Sequence, residues 1–316
     1  MTTEYPSYYD SFFCMAGSCP DTCCAGWEIE VADETYYRYL TIPGPFGDRL
    51  RQALSERQED GEYLHYLERR GNGSCTFLDG EHLCDIYKEM GPDGLCRTCR
   101  EHPRFLTQVG GYEQVDLSLS CPGVADLFFS DPAPISTVMV RDDRPEQPLS
   151  VDDQAKLTEI LAFRDSAMSG CQEHSHSPHF GALNPQASDD RWLSQFRAME
   201  PLEDDWDDTV TRVTERLEEY QKLWPLCYSP ELEQWFRKLG AYFTFRYYLD
   251  AWFDGSLIPE KLLVKKSLWF LRLLCVDRWK EHSGALTTED VKQVVRTYSK
   301  QVEFSEPNIN RLKELL

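Results

Sequence analysis

From residue 150 onward the apolar positions recur at helical spacing. Trp206, Val210, Val213, Leu217 and Tyr220 step by four and three, which places them on one face of a helix. Ser229-Pro230 supplies a cap and a first-turn proline, and Leu232, Trp235, Phe236, Leu239, Tyr242, Phe243 and Arg246 then form a single stripe. The stretch from Leu262 to Val276 is apolar on nearly every side and predicts a central buried helix. Thr287-x-x-Asp290 predicts the start of a last long helix with Val291, Val294, Val295, Tyr298 and Val302. Ser150-x-x-Asp153 gives the same opening before Leu157, Ile160, Leu161 and Arg164.

The first 130 residues lack this regularity. Trp27 to Val31 alternates and predicts a short strand, Asp33 to Leu40 a short helix, and Asp48 to Glu68 a longer helix. Pro132, Pro134, Pro145 and Pro148 mark residues 131–149 as a linker. Cys171 to Ser188 is polar. Its His174, His176 and His179 suit a surface loop better than a metal site. The expected fold is mainly α: a cysteine-rich, irregular metal-binding region (residues 1–130), the linker, and a helical domain (150–316) on which that region packs.

Composition narrows the function. The 316 residues are 41% hydrophobic with 16 Phe, 16 Tyr and 8 Trp, which excludes a mostly disordered chain. No run approaches the ~18 apolar residues of a membrane span. The first residues, MTTEYPSYYDSFF, carry acids and no basic segment, so a secretory signal is not expected and the cytoplasm is. Net charge is −21, and it is lopsided. Residues 231–316 hold 14 Lys+Arg and 12 Asp+Glu, a net +2, so all of the acidic excess lies upstream. Such a surface repels phosphate, which argues against nucleic acid and for a basic or lysine-bearing partner.

Twelve cysteines carry the strongest chemical signal. Nine fall early: Cys14, Cys19, Cys23, Cys24, Cys75, Cys84, Cys96, Cys99 and Cys121. In a reducing compartment clustered thiols read as metal ligands rather than disulfides. Thiolates suit zinc or iron–sulfur clusters, and the two-residue gap between Cys96 and Cys99 lets both sulfurs reach one metal. The spacing does not choose between zinc and iron. Arg97, Arg100 and Arg104 flank the last pair and could offset thiolate charge; His102 is a further possible donor.

Five segments together resemble the flagellin lysine N-methylase family. They are Cys19 to Tyr39 (CPDTCCAGWEIEVADETYYRY), Cys75 to Phe105, Leu117 to Gly123 (LSLSCPG), Phe243 to Gly255 (FTFRYYLDAWFDG) and Tyr298 to Leu312 (YSKQVEFSEPNINRL). The resemblance implies methyl transfer from S-adenosylmethionine to lysine ε-amines of flagellin in the bacterial cytosol, and an iron–sulfur cluster, [4Fe–4S] by preference, on the cysteine motif. One position departs: Phe304 stands where the family usually has histidine.

Lysine methylation needs a neutral amine, so a carboxylate or tyrosine must take or order its proton. Tyr298, Glu303, Arg246 and Asp250 lie in the family-like segments and form the expected catalytic set. No glycine-rich nucleotide loop is present, so S-adenosylmethionine would not bind in the Rossmann manner. The competing expectation is a non-catalytic, zinc-stabilised helical adaptor for a basic protein partner.

Overall fold

The computed structural model describes residues 1–59, 61–172, 183, 186, 189–202 and 205–315. The histidines at 174, 176 and 179 lie outside them. The elements in chain order are β1 (Thr2–Pro6), β2 (Ile29–Glu30), α1 (Asp33–Leu40), α2 (Gly44–Ala53), β3 (Leu54–Glu59), β4 (Glu62–Leu67), α3 (Asp85–Met90), α4 (Arg97–Glu101), β5 (Arg104–Val109), β6 (Tyr112–Leu117), α5 (Pro122–Phe128) and β7 (Thr137–Arg141). Helices follow: α6 (Val151–Gln172), α7 (Asp189–Arg197), α8 (Trp206–Glu215), α9 (Leu217–Cys227), α10 (Pro230–Tyr248), α11 (Ala251–Asp254), α12 (Ile258–Glu281) and α13 (Thr288–Tyr298). A π-helical turn (Ser299–Glu303) and α14 (Glu306–Lys313) end the chain's regular structure.

The N-terminal part is therefore α/β rather than irregular, and the fold is mixed. Asp48 to Glu68, expected as one helix, is the end of α2 followed by the β3–β4 hairpin. Asp60-Gly61 in the sequence is a two-residue hairpin signal, and cross-strand pairing of β3 with β4 outweighs weak helical propensity. Residues 131–149, expected as a linker, contain β7, which pairs antiparallel with β1.

Two compact units divide the chain at positions its composition does not mark. One is Phe13–Arg104; the other joins Met1–Phe12 to Phe105–Leu316. In the smaller unit, the sheet β2–β4–β3 and short helices enclose a core of Ile29, Tyr39, Leu50, Leu67, Phe77 and Ile86, with Cys75 and Cys96 among them.

In the larger unit the sheet order is β5–β6–β1–β7, with β1 parallel to β6. Every residue of β6 is buried. Its Tyr112 and Gln114 both meet Arg164 of α6, which is 0% exposed and reaches Tyr112 Oη, Gln114 Oε1 and Glu4 Oε2, each at 2.7 Å. Gln114 Nε2 donates in turn to the Phe245 carbonyl of α10 at 2.6 Å. These bonds join β6 and α6 to the last turn of α10. The expected stripe along α10 faces the core, and Ser229 Oγ accepts the Leu232 N–H at 3.0 Å to cap it. Helix α12 runs through the same core, where Phe270 stacks on Phe196 at 3.9 Å. Each such ring removed from water contributes about 1.5–3 kcal/mol.

Candidate functional site

The π-helical turn follows α13 directly and widens the helix by one residue. That extra residue turns Ser299 and Glu303 inward onto α10. Glu303 Oε1 accepts from Tyr247 Oη at 3.1 Å, Tyr242 Oη donates to the same carboxylate at 3.1 Å to Oε2, and Ser299 Oγ donates to Oε2. Across from them, Ser299 also meets Ser118 Oγ at 3.2 Å, just past the end of β6.

Asp116 of β6 belongs to this cluster. Its Oδ1 accepts the Leu117 N–H at 2.7 Å, while Oδ2 is buried with no hydrogen-bond partner. The Tyr8 hydroxyl faces it closely enough to perturb its titration, yet falls short of a hydrogen bond. Burial, then the nearby Glu303 charge, push the Asp116 carboxyl up to about 8 against the pull of Arg246 and the Leu117 N–H. Burial likewise raises Glu303, opposed by Arg246 and by its three hydroxyl donors. Tyr8, Tyr242 and Tyr247 are raised well above the usual phenol range, first by burial.

Arg246 completes the set. Burial works against its charge, but Tyr247, Asp250 and Glu303 more than offset that. Its guanidinium carbon lies 3.8 Å from the Phe105 ring centre, and Nε is buried without a hydrogen-bond partner. The Phe304 ring also packs on Phe105, centre to centre 5.3 Å. With Asp116 pushed up to about 8 and so largely protonated at neutral pH, the Arg246 charge is left facing Glu303.

The expected catalytic residues thus separate. Arg246 and Glu303 sit together. Tyr298 lies close enough to feel Glu303, but its hydroxyl donates to Ser267 Oγ at 2.7 Å. Asp250 is held by Lys313 at 3.0 Å and acts on Arg246 only through its charge. Sequence reasoning missed Asp116 and Tyr8. Neither had a local signal: Asp116 lies in the mixed segment Tyr112–Leu117 (YEQVDL), where an acid reads as a surface position.

In the smaller unit, five thiols share one neighbourhood. Cys75 feels Cys24, Cys84 and Cys96, and Cys99 feels Cys96, Cys24 and Cys75. Cys84 and Cys96 precede the first turns of α3 and α4, and the Cys75 N–H donates to the Cys24 carbonyl at 2.7 Å. Burial pushes Cys75 up to about 11, whereas a hydrogen bond from Cys23 brings Cys24 down to about 7. Cys96 is lowered by its hydrogen bond with Cys99, which is raised correspondingly. Cys14 and Cys23 are exposed and Cys19 partly so; Cys121 belongs to the other unit, at the start of α5. Among the described residues, no group of three or more His, Cys, Asp or Glu side chains is placed to hold one metal ion. The donor chemistry nonetheless fits a soft metal. Several thiols crowded into an apolar core resist ionising together, and a metal cation or cluster removes that resistance.

Residues 155–316 match the family of the FliB lysine N-methylase C-terminal domain. The chain is 27% identical over 134 residues to the flagellar biosynthetic protein FliU of Salmonella muenchen, covering 42% of this chain and 79% of that protein. It is 27% identical over 134 residues to the lysine-N-methylase of Salmonella typhimurium, covering 42% of this chain but only 33% of that protein. No solved structure matches it. No helix among the described residues is long and apolar enough to cross a membrane.

Proposed function

Because the chain belongs to the FliB lysine N-methylase family, we propose that it is a protein-lysine N-methyltransferase that moves a methyl group from S-adenosylmethionine to lysine ε-amines of flagellin. The observation that carries this reading is where the buried polar cluster lies. Tyr242, Arg246, Tyr247, Ser299 and Glu303 all fall within the matched residues 155–316.

The cluster has the chemistry such a transfer needs. A lysine ammonium must lose a proton before its nitrogen can attack the sulfonium methyl in line. Glu303, whose proton affinity burial raises, is the group that takes it. Tyr242, Tyr247 and Ser299 hold that carboxylate in one orientation. Asp116, with its carboxyl pushed up to about 8, is largely neutral at pH 7 and adds no charge repulsion to Glu303. Arg246, stacked on Phe105, balances a Glu303 carboxylate. Tyr8 and Arg246 retain some solvent exposure.

Cys24, Cys75, Cys84, Cys96 and Cys99 would hold the iron–sulfur cluster or, alternatively, zinc. Either group would supply a cross-link among the loops of the smaller unit. Cys14, Cys19, Cys23 and Cys121 remain further donors on the sequence pattern alone.

Anaerobically purified protein mixed with S-adenosylmethionine and flagellin should add methyl groups to lysines, read by peptide mass spectrometry. Absence of methylation with wild type, together with zinc and no iron in the sample, would instead support the adaptor reading.

A further inference from the structure

The hydroxyls that donate to Glu303 differ in what lies behind them. Among the described residues, those of Tyr242 and Tyr247 bond to Glu303 and make no other hydrogen bond. Ser299 continues. Its Oγ meets Ser118 Oγ at 3.2 Å, and Ser118 Oγ meets Ser120 Oγ at 2.9 Å. The Ser120 N–H also donates to Ser118 Oγ at 3.1 Å, which fixes the middle hydroxyl between its neighbours. Ser118 and Ser299 are 0% exposed, whereas Ser120 is 8% exposed and adjoins the partly exposed Cys121 at the start of α5. A continuous line of hydroxyls thus runs from the buried carboxylate towards the surface.

We propose that Ser299, Ser118 and Ser120 relay to solvent the proton that Glu303 takes from the substrate amine, so that the carboxylate is regenerated while the substrate still covers its open side. That the proton comes from an amine rests on the methyltransferase reading; exchange of the Glu303 proton along the serines does not.

A serine hydroxyl donates one hydrogen and accepts another at the same oxygen, so it passes a proton without holding charge. In both Ser–Ser contacts either oxygen can be the donor. With Glu303 ionised, the hydrogens point inward, Ser120 to Ser118, Ser118 to Ser299 and Ser299 to Glu303 Oε2. Once the carboxylate is protonated it becomes a donor, and the hydroxyls turn outward. The Glu303 O–H and each serine O–H then break as a new O–H forms at the next oxygen, and Ser120 gives its hydrogen to water. Glu303 is left ionised, each serine hydrogen points inward again, and one proton has left for the one taken up.

The relay is tested by deuterium exchange at the Glu303 carboxyl of the full chain, followed by infrared spectroscopy after rapid mixing with heavy water at acid pH. The carbonyl band of protonated Glu303 is the one that Glu303→Gln removes. Ser118→Ala should slow the deuterium shift of this band about tenfold or more while leaving its pH midpoint in place. Ser118→Thr, which keeps the hydroxyl, should restore the rate. Ser299→Ala should slow the exchange as well, and it carries the test if Ser118→Ala misfolds. Exchange at the wild-type rate in either folded alanine variant would overturn the relay. In methyl transfer, Ser118→Ala should lower kcat at unchanged KM, with partial rescue by imidazole as a mobile proton carrier. Absence of methyl transfer by the wild type would strike the activity and leave the exchange measurement standing.

Discussion

Tyr247 donates its hydroxyl hydrogen to Glu303 Oε1 across 3.1 Å, although 56 residues separate them in the chain. Tyr242, more than a turn earlier on α10, donates to the same carboxylate. A buried acid held by several hydroxyls is kept in one orientation while burial raises its proton affinity. Glu303→Gln preserves size and burial but cannot take a proton. It should lower methyl transfer by about a hundredfold or more, with the fold intact by circular dichroism. Tyr247→Phe should cost only about 1 kcal/mol of stability and a smaller part of the rate.

Asp116 predicts a pH dependence of stability. Its folded value of about 8 lies above the ordinary 3.8, so between those values the folded state binds more protons than the unfolded one. Stability from this group is therefore full at acid pH and declines as pH rises toward 8. Asp116→Asn should flatten that decline, measured as Tm from pH 5 to pH 8. A wild-type Tm that rises across the window with the same slope in the variant would contradict the assignment.

The five grouped thiols predict which cysteines matter for metal. Cys96→Ser or Cys99→Ser should remove most bound iron or zinc, quantified by elemental analysis after anaerobic purification. Cys227→Ser and Cys275→Ser should not, because those two thiols are buried in the helical core of the other unit. Stripping the metal with a chelator should unfold the smaller unit preferentially, seen as faster hydrogen exchange within residues 13–104.

Arg164 sets the position of β6 against α6. Arg164→Leu would leave Glu4 buried and unpaired beside Tyr112. The expected loss is about 3–5 kcal/mol, read from denaturant midpoints. Methyl transfer should fall with it, because β6 carries Asp116.

Much of the helical half is legible in the amino-acid pattern. The caps at Ser229 and Thr287 and the stripe from Leu232 to Arg246 are local signals, and each stands where the spacing places it. The stripe from Trp206 to Tyr220 is split at Arg216 into α8 and α9, yet Trp206, Val210, Val213 and Tyr220 still face the core. The N-terminal half is less legible. Its strands are two to six residues long and pair with partners far away, as β1 does with β6 and β7. Short strands carry little periodicity: the alternation of Trp27 to Val31 marks β2, and the other strands are not anticipated.

By itself, then, the sequence determined the helices, their buried faces and a thiol-rich segment suited to a soft metal, because periodicity, capping and ligand chemistry are properties of neighbouring residues. Only the tertiary structure decided that Asp116 joins Glu303 and Arg246, that Tyr298 turns to Ser267 and that Asp250 pairs with Lys313. Those outcomes depend on how β6, α10 and a one-residue helical widening at Ser299–Glu303 meet across more than a hundred residues. Long-range packing of this kind leaves no periodic trace in the chain.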